Sequence, residues 1–378
     1  MKIAIIGAGI VGSTAAYYLQ QSGQKEVTIF DHGQKEVTIF DHGQGQATKA
    51  AAGIISPWFS KRRNKVWYRM ARLGADFYQQ LINDLKEDGF ATDFYQQNGI
   101  YVLKKQEEKL RDLYELALAR KVESPIIGEL AIKNRKELGN DFKGLIGFDN
   151  CLYASGAARV EGATLCETLL KASGYPVIRQ KVTLKQQGSG YEIAGHYFDQ
   201  VILAAGAWLP DLLRPLGYQV DVRPQKGQLL DYNVHHIISD NYPVVMPEGE
   251  IDLIPFNQGK ISVGASHEND KGYDLEPDWQ ILEKLEMQAL TYLPLLKEAT
   301  QKTCRVGIRA YTSDYSPFYG QVPGLKNLYT ASGLGSSGLT VGPLIGYELA
   351  QLLLGHEGLL TPSDYSPEPY LLRSTGKA

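Results

Sequence analysis

The chain opens with an apolar run, Ile3 to Ile6, too short for a helix and of the right length for a buried strand. Gly7-Ala8-Gly9-Ile10-Val11-Gly12 follows, and then a stretch of helical pattern that ends near Gly23. Strand, tight turn and helix are therefore predicted in that order. KKQEEKLRDLYELALARK (Lys104 to Lys121) has the leucine and charge spacing of a helix, and VILAA (Val201 to Ala205) reads as another buried strand. The pentapeptide DFYQQ occurs twice. At Asp76 it lies within a helical pattern and at Asp93 it precedes the strand-like GIYVL, so local propensity alone does not decide its conformation. The tail after Thr361, with SPEP and STGKA, has the composition of a loosely held end.

The glycine spacing of the opening is GxGxxG in the context that gives it meaning. Gly7 permits the tight turn, Gly9 lets backbone approach a pyrophosphate, and Gly12 lets helix and strand pack closely. The helix N-terminus offers unpaired N–H groups and a positive dipole end to phosphates. Such a unit needs an acid at the end of its second strand, roughly twenty residues on, to bond ribose hydroxyls. The chain supplies that strand twice, because Gly23 to His32 and Gly33 to His42 are the same ten residues, GQKEVTIFDH. Asp31 lies nineteen residues after Gly12, and Asp41 ten further. An insertion is less harmful away from a ligand site, and functional loops sit at strand C-termini. That argument favours the second copy, with Asp41 and His42 at the ribose and Asp31 as the alternative.

Composition narrows the class without naming the chemistry. A chain of 378 residues is long for one core, and two closely packed domains are expected. A net charge of −3 gives no general reason to expect nucleic acid, and the basic cluster SKRRNK (Ser60 to Lys65) reads as a solvated face. Cys151, Cys166 and Cys304 are odd in number, far apart and form no CxxC, so neither a disulfide framework nor a zinc site is suggested. His235 and His236 would point to opposite faces of a strand, poor geometry for a metal. No metal is expected, and a reducing, cytoplasmic location fits best. The glycine-broken N-terminus is short of a membrane span and lacks a cleavage site, so no integral membrane segment is expected.

Four separated motifs together resemble the D-amino-acid-oxidase-like family of FAD-dependent amine oxidoreductases, in its glycine oxidase and sarcosine oxidase branch. They are the N-terminal fingerprint; ATKAAAGIISP (Ala47 to Pro57); VILAAGAWLPDLL (Val201 to Leu213), preceded by PVIRQKVTLKQ; and the long C-terminal run from GIRAY to AQLLLG. The resemblance implies non-covalent FAD, bound by Gly7, Gly9, Ile10, Val11 and Gly12 and by Ala47, Thr48, Ala52, Gly53 and Ile54. It further implies Val182 at the adenine, Ala205, Gly206 and Trp208 closing the nucleotide domain, and the turn Gly333, Leu334, Gly335, Ser336, Ser337, Gly338, Leu339 and Thr340 against the flavin. Arg309 would anchor a substrate carboxylate, a task for which the planar guanidinium suits two charge-assisted bonds. The helix after the glycine turn would aim its positive end at the ring edge where charge grows on reduction.

The implied fold is α/β, a Rossmann-type FAD-binding domain plus a mainly antiparallel β-sheet substrate domain. Residues 1–85, 150–215 and 305–378 would form the first, and residues 86–149 and 216–304 the second. The implied reaction passes the α-hydrogen of a small amine or amino acid to the flavin, leaving an imine that water hydrolyses, with oxygen or a carrier as electron acceptor. Whether the chain forms a homo-oligomer is left open.

Departures from the family pattern bear on the substrate. Glycine oxidases carry a GHFRNG-like turn, whereas this chain has Gly333-Leu334-Gly335-Ser336-Ser337-Gly338, which removes one cation and counts against glycine itself. No cysteine in that turn offers a covalent flavin link. Lys226 replaces an arginine in PQKGQ, and Asp252 stands about where relatives place a pocket tyrosine. Asp252 could bind a cationic substrate group or face solvent. Tyr311, with Tyr315 and Tyr319, could wall the site or pack in the core. Two rival readings remain, a nicotinamide-dependent dehydrogenase and a non-catalytic flavin-binding protein.

Overall fold

The structure is a computed structural model that describes residues 1–23, 27–31, 45–138, 142, 144–235, 237 and 239–373. Strand β1 (Ile3–Ile6) is wholly buried, which explains its unbroken apolar run. Helix α1 (Ile10–Gln21) follows, and strand β2 (Val27–Asp31) returns parallel to β1. These belong to a six-stranded sheet in the order Val177–Arg179, β2, β1, Gln200–Leu203, Leu328–Ser332 and Phe318–Gln321. All pairs are parallel except the last. Gly7 has φ +108°, and a Cβ on Gly12 would lie 1.9 Å from the Gly7 carbonyl oxygen. The turn and the first helical turn therefore exclude side chains at both positions.

The strand beside β1 is the first copy of the repeat, which corrects the expectation that the second would fill it. Residues 22–26 alone join α1 to β2, and the register sets Ile6 opposite Phe30, so Asp31 follows at the carboxyl end. A connection of this length is the common one between helix and parallel strand. The two copies are identical in sequence, so strand propensity cannot choose between them, and chain connectivity does. Asp41 and His42 lie outside the described residues.

The second sheet has nine strands, mostly antiparallel. Towards one edge of it, Arg223–Asn233 pairs along its whole length with Gln301–Tyr311, setting Gln225 opposite Arg309 and Gly227 opposite Gly307. Lys260–Gly264 and then Asp252–Pro255 continue the sheet on the other side. The sequence segment Lys104 to Lys121 contains the helix Glu107–Lys121. The first DFYQQ lies in the helix Lys65–Glu87, capped by the Asn64 side chain accepting from the Trp67 N–H at 2.9 Å. The second straddles the short strand Tyr95–Gln96, so one pentapeptide takes two conformations according to what it packs against. Among the described residues, no helix is long and apolar enough to cross a membrane.

Candidate functional site

Between the two sheets runs a cavity of about 620 Å³ that reaches from the start of α1 to Arg309. Its size is that of a ligand-binding cleft rather than a packing defect. Gly7, Gly9, Ile10 and Val11 form one end, and Leu334, Gly335, Ser336, Gly338 and Leu339 line another part. Two helices start on this cavity, α1 and the C-terminal helix Gly338–Leu354, and neither has a side-chain cap. The first N–H groups of a helix lack intrahelical partners and attract anions. Of these, the Ile10 N–H donates to Thr48 Oγ1 at 3.2 Å. Two uncapped helix starts on one elongated, small-residue cavity are what an adenine dinucleotide with a central pyrophosphate requires.

The segment Ala47, Thr48, Ala52, Gly53 and Ile54 lines the cavity, together with Ala50 and Ala51. Arg305 holds it in place. Its guanidinium makes a bidentate pair with Asp231 (2.7 and 2.9 Å), while Nη1 donates to the carbonyls of Lys49 and Ala51 at 3.1 and 3.2 Å. Sequence reading did not single out Arg305. The signal was its position four residues before Arg309, on the same face of a strand. Val182, Ala205, Gly206 and Trp208 also line the wall. Trp208 packs on Tyr273 with ring centroids 5.4 Å apart, and Tyr273 donates its hydroxyl hydrogen to the Ala207 carbonyl at 2.8 Å.

Several expected site residues stand behind the wall rather than on it. Gly12 packs against Gly7, and Gly333 sits against Ser316 and Thr312. Ser337 and Thr340 also do not line the cavity. Tyr311, a candidate catalytic residue, is buried beneath the turn, where its ring fills the space a Gly335 side chain would need. Its hydroxyl accepts the Ser336 N–H at 2.9 Å. It positions the glycine turn. No tyrosine wall forms, because Tyr319 turns to Glu348 at 3.0 Å and Tyr315 is exposed.

Arg309 lies on the cavity face of the nine-stranded sheet. Its guanidinium crosses the neighbouring strand directly over Gly227, where a Cβ would come within 2.5 Å of Nη1. Nη1 donates to Gln225 Oε1 at 3.1 Å and to the Ser266 carbonyl at 2.8 Å. Guanidinium carries five N–H donors, and no other described residue accepts from this one. Burial weakens its hold on the proton, and Tyr311 and Glu268 act in the opposite sense. A half-buried cation with free donors facing a cavity is a receptor for an anion.

Asp252 and His267 share that end of the cavity. Burial pushes the Asp252 carboxyl up to about 7, with Lys104 pulling it back. His267, which the sequence reading passed over, is held below its ordinary value first by burial and then by Arg309. Its imidazole is therefore neutral near pH 7. Lys226 belongs to the other face of the strand. Its ammonium group pairs with Asp274 at 2.7 Å and so ties down the segment that carries Tyr273 and Leu275.

With this geometry in view, residues 2–352 match the family described as DAO, FAD dependent oxidoreductase. An uncharacterized oxidoreductase of Bacillus subtilis, YurR, is 37% identical over 376 residues, covering 96% of this chain and 97% of that one. Glycine oxidase of Pseudomonas putida is 29% identical, covering 97% of this chain and 98% of that one. Among solved structures, iminodiacetate oxidase from Chelativorans sp. BNC1 superposes with a TM-score of 0.90 at 30% identity, covering 97% of this chain and 99% of that chain.

Proposed function

Since the chain belongs to the DAO family of FAD-dependent oxidoreductases and acts on amines or amino acids, we propose that its substrate is a small α-amino acid held through its carboxylate by Arg309. The observation that carries this reading is the half-buried guanidinium, whose Nη1 is committed to protein and whose remaining donors are free at the cavity. FAD, when bound, supplies the acceptor for the hydrogen and the two electrons removed from the substrate carbon. The start of α1 would take its phosphates, the Val182 stretch its adenine, and Leu334 to Ser336 its ring. Arg309 contributes position. Fixing the carboxylate places the α-carbon at one spot and removes most of the motional freedom a free amino acid would bring to the reaction.

The absence of a cation from Gly335-Ser336-Ser337 limits this end of the cavity to Arg309 as its permanent positive charge, among the described residues. A monocarboxylate suits that arrangement better than a dicarboxylate, for which a second carboxylate would lie unpaired beside Asp252. A reducing compartment accords with three cysteines that form no disulfide among the described residues, two of them buried.

The test is anaerobic bleaching of the bound flavin by a panel of small amino acids and simple amines. Bleaching by one or more amino acids, lost in Arg309→Met with flavin content unchanged, is the expected result. Bleaching by amines that lack a carboxylate at rates equal to the amino acids would overturn the reading.

A further inference from the structure

The reading of Arg309 leaves one cavity group without a task. Asp252 pairs with Gly264 of the next strand, which pairs in turn with Leu229 of the Gly227 strand. Directly paired residues point to one face of a sheet, so Asp252 shares the cavity face with Gly227 and the guanidinium lying over it. From Gly227 to Asp252 is two strands across and two residues along, roughly 12 Å between Cα atoms at ordinary strand spacing. With both side chains reaching into the cavity, the gap suits an α-amino acid whose carboxylate rests on the guanidinium and whose nitrogen points at the carboxyl of Asp252.

The surroundings of Asp252 leave it available. No described residue hydrogen-bonds its carboxylate. Lys104, at the end of the strand Ile100–Leu103, is the cation that faces it from the neighbouring strands, and Lys104 also answers to Glu248. Arg309 and the neutral His267 share the cavity with it, and Glu250 lies two residues earlier in the chain, ahead of the strand that Asp252 begins. A half-buried carboxylate at a cavity wall, without a fixed partner, binds a proton or an ammonium group.

We propose that Asp252 accepts the proton of the substrate's ammonium group, so that the enzyme binds the zwitterionic amino acid and makes its neutral amine inside the cavity. This rests on the amino-acid reading given above. The proton passes from nitrogen to an Oδ of Asp252 and leaves a lone pair on nitrogen. That pair would become the second bond of C=N as the α-hydrogen leaves with its bonding electrons, for which bound FAD would supply the acceptor. Asp252 returns its proton to solvent when the imine leaves. One fixed cation and one acid thus match the two charges of the substrate, and the rise of the carboxyl to about 7 lets it exchange a proton near neutral pH.

The test uses the holoenzyme and the variants Asp252→Asn and Asp252→Glu. Anaerobic flavin reduction by the best amino acid of the panel is followed across pH. In the wild type, kcat/KM is expected to level off above the Asp252 ionisation. In Asp252→Asn it falls about a hundred-fold at neutral pH and climbs until the substrate loses its own proton in solution. Asp252→Glu recovers part of the loss. A second measurement needs no turnover: 2-aminoisobutyrate has no α-hydrogen, and Asp252→Asn should bind it about ten-fold more weakly. Isobutyrate, the same carbon skeleton without the nitrogen, should bind no more weakly than to the wild type. An Asp252→Asn enzyme with the wild-type pH profile, within about three-fold at neutral pH, overturns the proposal and leaves the amino-acid reading standing. A wild-type flavin that no amino acid bleaches sinks both.

Discussion

A single methyl group at Gly227 gives the sharpest test of the carboxylate anchor. A Cβ there would lie 2.5 Å from Nη1, 2.6 Å from Cζ and 2.7 Å from Nη2 of Arg309. Ordinary carbon contacts need about 3.5 Å, so the guanidinium must retreat by about 1 Å. The atoms in conflict are the mobile end of a long side chain, and Gly227 has no left-handed φ, so alanine fits the strand backbone without strain. Gly227→Ala should therefore fold and hold flavin as the wild type does. The substrate loses most of a charge-assisted contact worth about 1.5–3 kcal/mol, or about ten- to one-hundred-fifty-fold in kcat/KM. A displacement of about 1 Å at a positioning group has comparable consequences for rate. Stopped-flow reduction and titration with an unreactive carboxylate measure the two effects, with the flavin spectrum and Tm as controls. A Gly227→Ala enzyme within about three-fold of wild type in kcat/KM would show that the guanidinium does not bind the carboxylate from the position described.

Other perturbations separate cofactor binding from substrate binding. Arg305→Met takes the cation from the Asp231 carboxylate, which keeps the Ser262 hydroxyl as a donor, and frees the carbonyls of Lys49 and Ala51; a loss of about 3 kcal/mol in stability and a lower flavin content on purification are expected, read by Tm and absorbance. Tyr311→Phe removes the acceptor of the Ser336 N–H; flavin affinity should fall by a factor equivalent to about 1 kcal/mol, with the substrate preference unchanged. The folded-state pKa of Asp252 is raised above its unfolded value, so between about pH 4 and 7 the folded state binds more protons, and stability declines as pH rises through that window. The apoprotein of Asp252→Asn should lack this decline, whose upper bound is about 4 kcal/mol, in thermal melts at a series of pH values. Deleting ten residues from the repeat yields one product whichever copy is removed. That shortened protein should retain full flavin content, and its loss would show that both copies are needed.

What the sequence determined by itself is local. Ile3 to Gly12 announces strand, turn and helix start because every constraint on it, apolar run, turn geometry and close helix packing, acts between residues near in the chain. The glycine turn and the helix Gly338–Leu354 were legible for the same reason, and Arg309 through the motif around it. Tertiary structure decided what depends on distant partners. The copy of GQKEVTIFDH beside β1 was settled by connectivity, since identical sequences carry no preference of their own. Tyr311, Arg305 and Lys226 look alike as polar residues of strands, yet one props a turn, one ties down a loop of alanines and one anchors a covering segment. Gly227 could not be matched to Arg309, nor Asp252 recognised as a carboxyl at the cavity wall, until antiparallel pairing brought strands from separate parts of the chain to one face. Burial and electrostatics are properties of the assembled surroundings, and no stretch of sequence contains its own surroundings.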